Sequence, residues 1–193
     1  SNNLTYLEGS NDDKSKKINS FKSYLSILKS ENIILNHEER KNIIERKMSV
    51  ICNNKKLQNT FDPKLIQEVV NLVEKPNIIA CKFDEAYLKI PQEILIITMQ
   101  QHQKYFPLFD DNNRLTNSFL LVSNLPDVKG YIKKGNQRVI EARLSDAKFF
   151  WEKNKKQNLV KQISLLKNIT FFNKLGNFFD KTQRLRKLAS VIS

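Results

Sequence analysis

Three stretches of this 193-residue chain gather side chains that can bind or transform a ligand. The first is Met99-Gln100-Gln101-His102-Gln103-Lys104-Tyr105-Phe106-Pro107. An imidazole and an ammonium beside amides can donate to phosphate oxygens, and neighbouring rings can stack on bases. A purely structural use is also open to them. His102 and Gln103 would meet backbone groups where a helix yields to a strand, with Tyr105 and Phe106 in the core. On the residues alone the structural reading is the stronger. The second stretch runs from Gly135-Asn136-Gln137-Arg138 to Phe149-Phe150-Trp151. Gly135-Asn136 reads as a cap and turn, followed by Arg138, Arg143 and Lys148 among aromatic residues. Guanidinium groups on a helix beside a turn suit bidentate phosphate binding. Arg138 with Glu141 and Arg143 with Asp146 are also i, i+3 pairs that would simply brace the helix. The third is the run Lys153, Lys155, Lys156, Lys161, Lys167, Lys174, Lys181, Arg184, Arg186 and Lys187. It is either a solvated face or a sequence-tolerant contact to an RNA backbone.

Nothing in the sequence pairs a nucleophile with a base, and no Ser-His-Asp or Cys-His arrangement can be built from order or spacing. No catalytic residue is expected. Cys52 and Cys81 form no CxxC, and His37 and His102 are the only histidines. A disulfide scaffold and a metal site are both disfavoured. Four glycines leave no material for a P-loop or a dinucleotide fingerprint. No run approaches the roughly 20 apolar residues of a membrane span, and the first residues carry no secretory pattern. The expectation is a helix-rich cytoplasmic protein with no membrane partner and no cofactor held by this chain.

The net charge is +13, and its placement is informative. Residues 1–60 carry 11 basic and 7 acidic side chains, residues 61–128 carry 6 and 9, and residues 129–193 carry 16 and 4. Lysine-rich codon drift would spread evenly, whereas this excess sits in the last third and points to a polyanionic partner.

The elements that position these residues read as an α+β fold. Residues 1–18 are polar and aperiodic, a flexible lead-in. Residues 19–76 are helical. Phe21, Tyr24, Leu25 and Leu28 form one stripe. Asn36 with Glu39 caps a helix with Ile44, Met48, Ile51 and Cys52 inward and Arg40, Lys41 and Lys47 outward. Asp62-Pro63 starts another, with Leu65, Ile66, Val69, Val70 and Val73 inward. Residues 77–134 hold a small mixed sheet: a strand from Asn77 to Phe83, a helix opened by Pro91, and two strands flanking the turn Asp110–Asn113. Pro107 places the first strand of that hairpin at an edge. Residues 135–193 form a basic helical part, expected to run on into a longer protein. Ile140, Leu144, Ala147 and Trp151 are its inward stripe, and a second stripe extends along one helix from Phe171 to Ile192.

Several of these strings occur together in one family. Ile90-Pro91-Gln92-Glu93-Ile94-Leu95-Ile96-Ile97-Thr98-Met99, His102-Gln103-Lys104-Tyr105-Phe106-Pro107 and Val122-Ser123-Asn124 closely resemble the β subunit of bacterial glycyl-tRNA synthetases. So do Gly135-Asn136-Gln137-Arg138-Val139 and Ala142-Arg143-Leu144-Ser145-Asp146-Ala147-Lys148-Phe149-Phe150. Gln137 departs from the family, which usually has Glu there. The resemblance implies an internal part of the N-terminal half of that subunit. It implies an α2β2 ligase that joins glycine to tRNA-Gly, with ATP and magnesium used through the α chain. The partners implied are tRNA-Gly, the α subunit and the remainder of β. Under it, Arg138, Arg143, Lys148, His102, Lys104, Arg184 and Arg186 are the candidate tRNA contacts. A module that only holds subunits together is the alternative.

Overall fold

Side-chain caps open the first three helices, at Asn36 and Asp62 where the sequence leads one to expect them. The computed structural model describes residues 4–5, 15–58 and 61–192. Most of the expected lead-in over 1–18 lies outside the described residues; within it, β1 (Leu4–Thr5) pairs antiparallel with β2 (Lys16–Lys17). Ser20 and Ser23 form a reciprocal capping box at α1 (Phe21–Ser30). Asn36 accepts from the Glu39 N–H at 3.1 Å to open α2 (His37–Lys55). Asp62 accepts from the Lys64 N–H at 2.9 Å, with Pro63 as first residue of α3 (Pro63–Leu72). Each such cap satisfies an orphan N–H and is worth about 1 kcal/mol.

The chain divides into two units, residues 1–148 and 149–193. In the first, α2 and α3 pack on one face of a three-stranded sheet. Its strands are β3 (Asn77–Lys82), β4 (Phe106–Phe109) and β5 (Leu115–Ser123), in the order β3-β5-β4. Ile44, Met48, Cys52, Leu65, Ile66, Val69, Val70 and Val73 meet Phe106, Leu108 and Leu120 there. Burial of each such aliphatic side chain contributes on the order of 1.5–3 kcal/mol. Both strand pairings are antiparallel, so the sheet expected to be mixed is not. The Asp110–Asn113 turn explains half of this, since a tight hairpin joins only antiparallel strands. Asp110 accepts from the N–H groups of Asn112 and Arg114, and Asn113 takes a left-handed φ of 57°. Pro107 lies on an edge strand, as expected.

Side chains alternate across the pleat, so Phe119 and Leu121 face away from α2 and α3, opposite Cys81 and Ile79. Helix α4 (Gln92–Ile97) passes into a π-turn, Thr98–His102. Tyr105 follows and stacks on Phe119 with centroids 4.8 Å apart.

Helix α5 (Tyr131–Lys156) corrects one expectation. Gly135-Asn136 is neither cap nor turn but part of an unbroken helix. The cap is Asp127, whose two carboxylate oxygens accept from the Ile132 and Lys133 N–H groups, both at 3.0 Å. Ile140 and Leu144 are fully buried as expected. Ala147 and Trp151 are only half-buried, so the inward stripe does not extend to the tryptophan.

In the second unit, α6 (Leu159–Gln162) and a short 3-10 turn, Ile163–Asn168, precede an antiparallel pair of β6 (Thr170–Phe172) and β7 (Gly176–Asn177). Helix α7 (Phe178–Ile192) follows. The single helix expected from Phe171 is therefore replaced by a hairpin and a shorter helix. Lys174 and Gly176 carry φ of 67° and 82°, which no right-handed helix accommodates. Asn177 and Asp180 then cap α7 by exchanging backbone-to-side-chain hydrogen bonds of 3.0 and 2.9 Å.

Candidate nucleic-acid interface

The two middle motifs meet through a buried joint. Tyr105, 4% exposed, donates its hydroxyl to Asn136 Oδ1 at 2.6 Å, and Asn136 Nδ2 donates to the Ile132 carbonyl at 2.8 Å. One residue on, Gln137 Nε2 donates to the Lys82 carbonyl at the end of β3, at 2.7 Å. Burial pushes the Tyr105 hydroxyl up to about 12, with a smaller contribution from neighbouring Cys81. Cys81 is itself pushed up to about 11, first by burial, with Lys133 lowering it and Asp127 raising it. An unreactive thiol and a hydrogen-bonded phenol form a structural joint rather than an acid–base pair. Tyr105 and Phe106 are core residues, in keeping with the structural reading of this motif.

The charged residues around the joint divide sharply. Lys104 sits at a left-handed φ of 56°, is half-buried and pairs with Glu68 on α3. His102, at the end of the π-turn, is exposed. Arg138, Arg143 and Lys148 are exposed on α5. Among the described residues, no ion pair joins Arg138 to Glu141 or Arg143 to Asp146, so neither expected brace is made. At 3.6 residues per turn, Lys134, Arg138 and Lys148 fall within about 80° of arc, while Arg143 points about 140° away from Arg138 and Lys148. The helix thus presents a row of three cations with Arg143 apart from it. Arg184, on α7, donates to the Leu175 carbonyl at 3.1 Å, and Arg186 is exposed.

Arg40 was missed as a functional frame residue. Expected to face outward, it is half-buried, and its guanidinium donates to the carbonyls of Ile34, Leu35 and Val70 at 2.6, 2.9 and 3.1 Å. Lys47 similarly donates to the Pro76 carbonyl at 2.9 Å. The only early signal was scarcity, since the chain has seven arginines against 26 lysines. The described residues bring together no group of three or more His, Cys, Asp or Glu side chains able to hold a metal. No helix among the described residues is long and apolar enough to cross a membrane.

The chain is an α+β protein that buries Tyr105 and Phe106 of its first motif and leaves Arg138 and Arg143 of its second exposed. Comparison with known proteins narrows the class. The family model for the glycyl-tRNA synthetase beta subunit matches residues 1–193, and the chain belongs to that family. It is 40% identical over 161 residues to the glycine–tRNA ligase beta subunit of Methylobacillus flagellatus, covering 83% of this chain and 23% of that protein. Against the corresponding subunit of Pseudomonas syringae pv. tomato it is 39% identical over 178 residues, 92% of this chain and 26% of the relative. The chain therefore spans about a quarter of the length of these curated relatives.

Proposed function

We propose that this chain is a non-catalytic part of the β subunit of a cytoplasmic, heterotetrameric glycine–tRNA ligase, contributing tRNA binding and structural support. Glycine activation with ATP and magnesium falls to the α subunit. What carries the tRNA assignment is the row Lys134, Arg138 and Lys148, exposed on a helix that Asn136 and Gln137 anchor to Tyr105 and to the Lys82 carbonyl. A row of cations on a rigid helix matches the repeating charge of an RNA backbone without reading its sequence. The test is tRNA binding by the intact ligase across a salt series. Arg138→Ala is expected to lower affinity and to flatten the log–log salt slope by about 0.7–0.9. Arg143→Ala, off the row, leaves both near the wild-type values. Equal behaviour of the two variants would remove the row from the site.

One observation favours a second reading, that of an assembly module holding subunits together without touching RNA. In residues 149–192 no apolar side chain is buried, and 14 large ones are exposed. Under that reading both arginine variants bind tRNA normally, and replacing the exposed apolar side chains of residues 149–192 makes the subunits separate more readily.

A further inference from the structure

The second unit carries exposed rings as well as charge. Residues 149–193 hold ten basic and two acidic side chains. Phe149, Phe150 and Phe172 are 60%, 58% and 65% exposed. Every cation–ring contact among the described residues lies in this unit. Lys153 stands 5.9 Å from the Phe149 centroid, Lys155 5.9 Å from Trp151, and Lys167 5.0 Å from Phe179. Lys181 sits 4.2 Å from Phe171 and 5.6 Å from Phe178, two rings set edge to face. Phe149 and Phe150 are likewise edge to face, with centroids 5.4 Å apart.

From this arrangement we propose that residues 149–193 bind unpaired nucleotides of RNA, whose bases stack on Phe149 and Phe150 while Lys153 and its neighbours meet the phosphates. The proposal rests on the reading that this chain contacts tRNA, and specifies which kind of RNA segment this unit takes. A lysine run alone attracts any polyanion and cannot tell a duplex from a single strand. Exposed rings can. A duplex keeps its bases stacked on one another, whereas a loop or a 3′ end offers free base faces, and every base has one. The excess of positive charge selects RNA over a protein surface as the occupant, since a purely apolar contact gains nothing from ten cations around it.

The experiment uses the intact ligase and two probes, a short oligouridylate and a blunt RNA duplex with the same number of phosphates. The double variant Phe149→Ala, Phe150→Ala is expected to weaken oligouridylate binding by about five- to a hundred-fold per lost stack. Duplex binding and the salt slope are expected to stay as they were. Phe149→Tyr, Phe150→Tyr, which keeps the rings, retains wild-type affinity. Photo-crosslinking of a 4-thiouridine oligomer to the wild-type protein provides a check free of folding effects, with adducts expected at residues 149–151. Equal losses for both probes, unchanged oligouridylate binding, or no adduct in this unit would each overturn the proposal. So would an alanine variant whose subunits separate while its RNA affinity holds, the mark of rings packed against protein. Salt-dependent tRNA binding that ignores the rings sinks this inference alone. Failure to bind tRNA at any low salt sinks it together with the reading on which it rests.

Discussion

Replacing Tyr105 with phenylalanine tests the joint between the two motifs, and pH makes the test specific. The substitution keeps the ring that stacks on Phe119 and deletes only the hydroxyl that donates to Asn136 Oδ1 at 2.6 Å. An amide oxygen stranded in a part-buried site costs about 1–3 kcal/mol, so Tyr105→Phe is expected to lose about that much stability at pH 8. The wild-type protein carries a compensating weakness at high pH. Its phenol is raised from 10 to about 12, so the folded state resists ionisation that the unfolded chain accepts. That stability is whole below pH 10 and drains as pH climbs toward 12. Linkage puts the loss at about 1.4 kcal/mol by pH 11 and a little over 2 kcal/mol by pH 12. The variant has no phenol to ionise and loses none of this. Cys81 also titrates late, but it is present in both proteins and largely cancels in their difference. Urea denaturation followed by circular dichroism at pH 8 and pH 11 should therefore show the gap between the two proteins shrinking by about 1.4 kcal/mol. A gap that stays constant, or widens, would mean that Tyr105 is not buried as a neutral donor and that the joint is wrongly drawn.

Two further expectations concern the frame. Arg40→Ala removes donors to three carbonyls and should cost about 2–4 kcal/mol in urea titration, and Arg40→Lys should recover little, because an ammonium cannot span carbonyls set apart by a planar fork. Ile140→Ala is expected to cost about 2–5 kcal/mol, whereas Val139→Ala, at a position 43% exposed, should cost under about 1 kcal/mol; similar losses at both sites would contradict the placement of the buried stripe on α5.

Most of the first unit was legible because its determinants are local. The caps at Asn36 and Asp62, the stripes Ile44–Met48–Cys52 and Leu65–Ile66–Val69–Val70, and the Asp110–Asn113 turn each act within a few residues, and the structure follows them. What escaped depends on partners distant in sequence. Gly135-Asn136 carries the composition of a turn, yet Asn136 is held by Tyr105, 31 positions earlier, and the helix is started by Asp127. Arg40 looked like a surface charge because its acceptors are backbone carbonyls, which leave no trace in a residue pattern. In the second unit the period from Phe171 to Ile192 was real but crossed a hairpin. A hydrophobic stripe is blind to the left-handed backbone of Lys174 and Gly176 that breaks it.

The same considerations explain how one string of residues serves two ends. In Asn136-Gln137-Arg138, the first two side chains spend their donors and acceptors inward, on Tyr105, Ile132 and Lys82, and so fix the rotation of α5 about its own axis. Once that rotation is set, each later position has its direction. Ile140 and Leu144 are buried, and Arg138 lies about 160° and 120° around the helix from them, facing outward. Gln137 fits this role as a glutamate would not, since an ionised carboxylate has no hydrogen to donate to the Lys82 carbonyl. The uncharged amide also leaves Arg138 without an acid at its side. What reads in sequence as a lost partner for Arg138 is, in the fold, an anchor that aims it. The outward charge therefore owes its position to an inward amide.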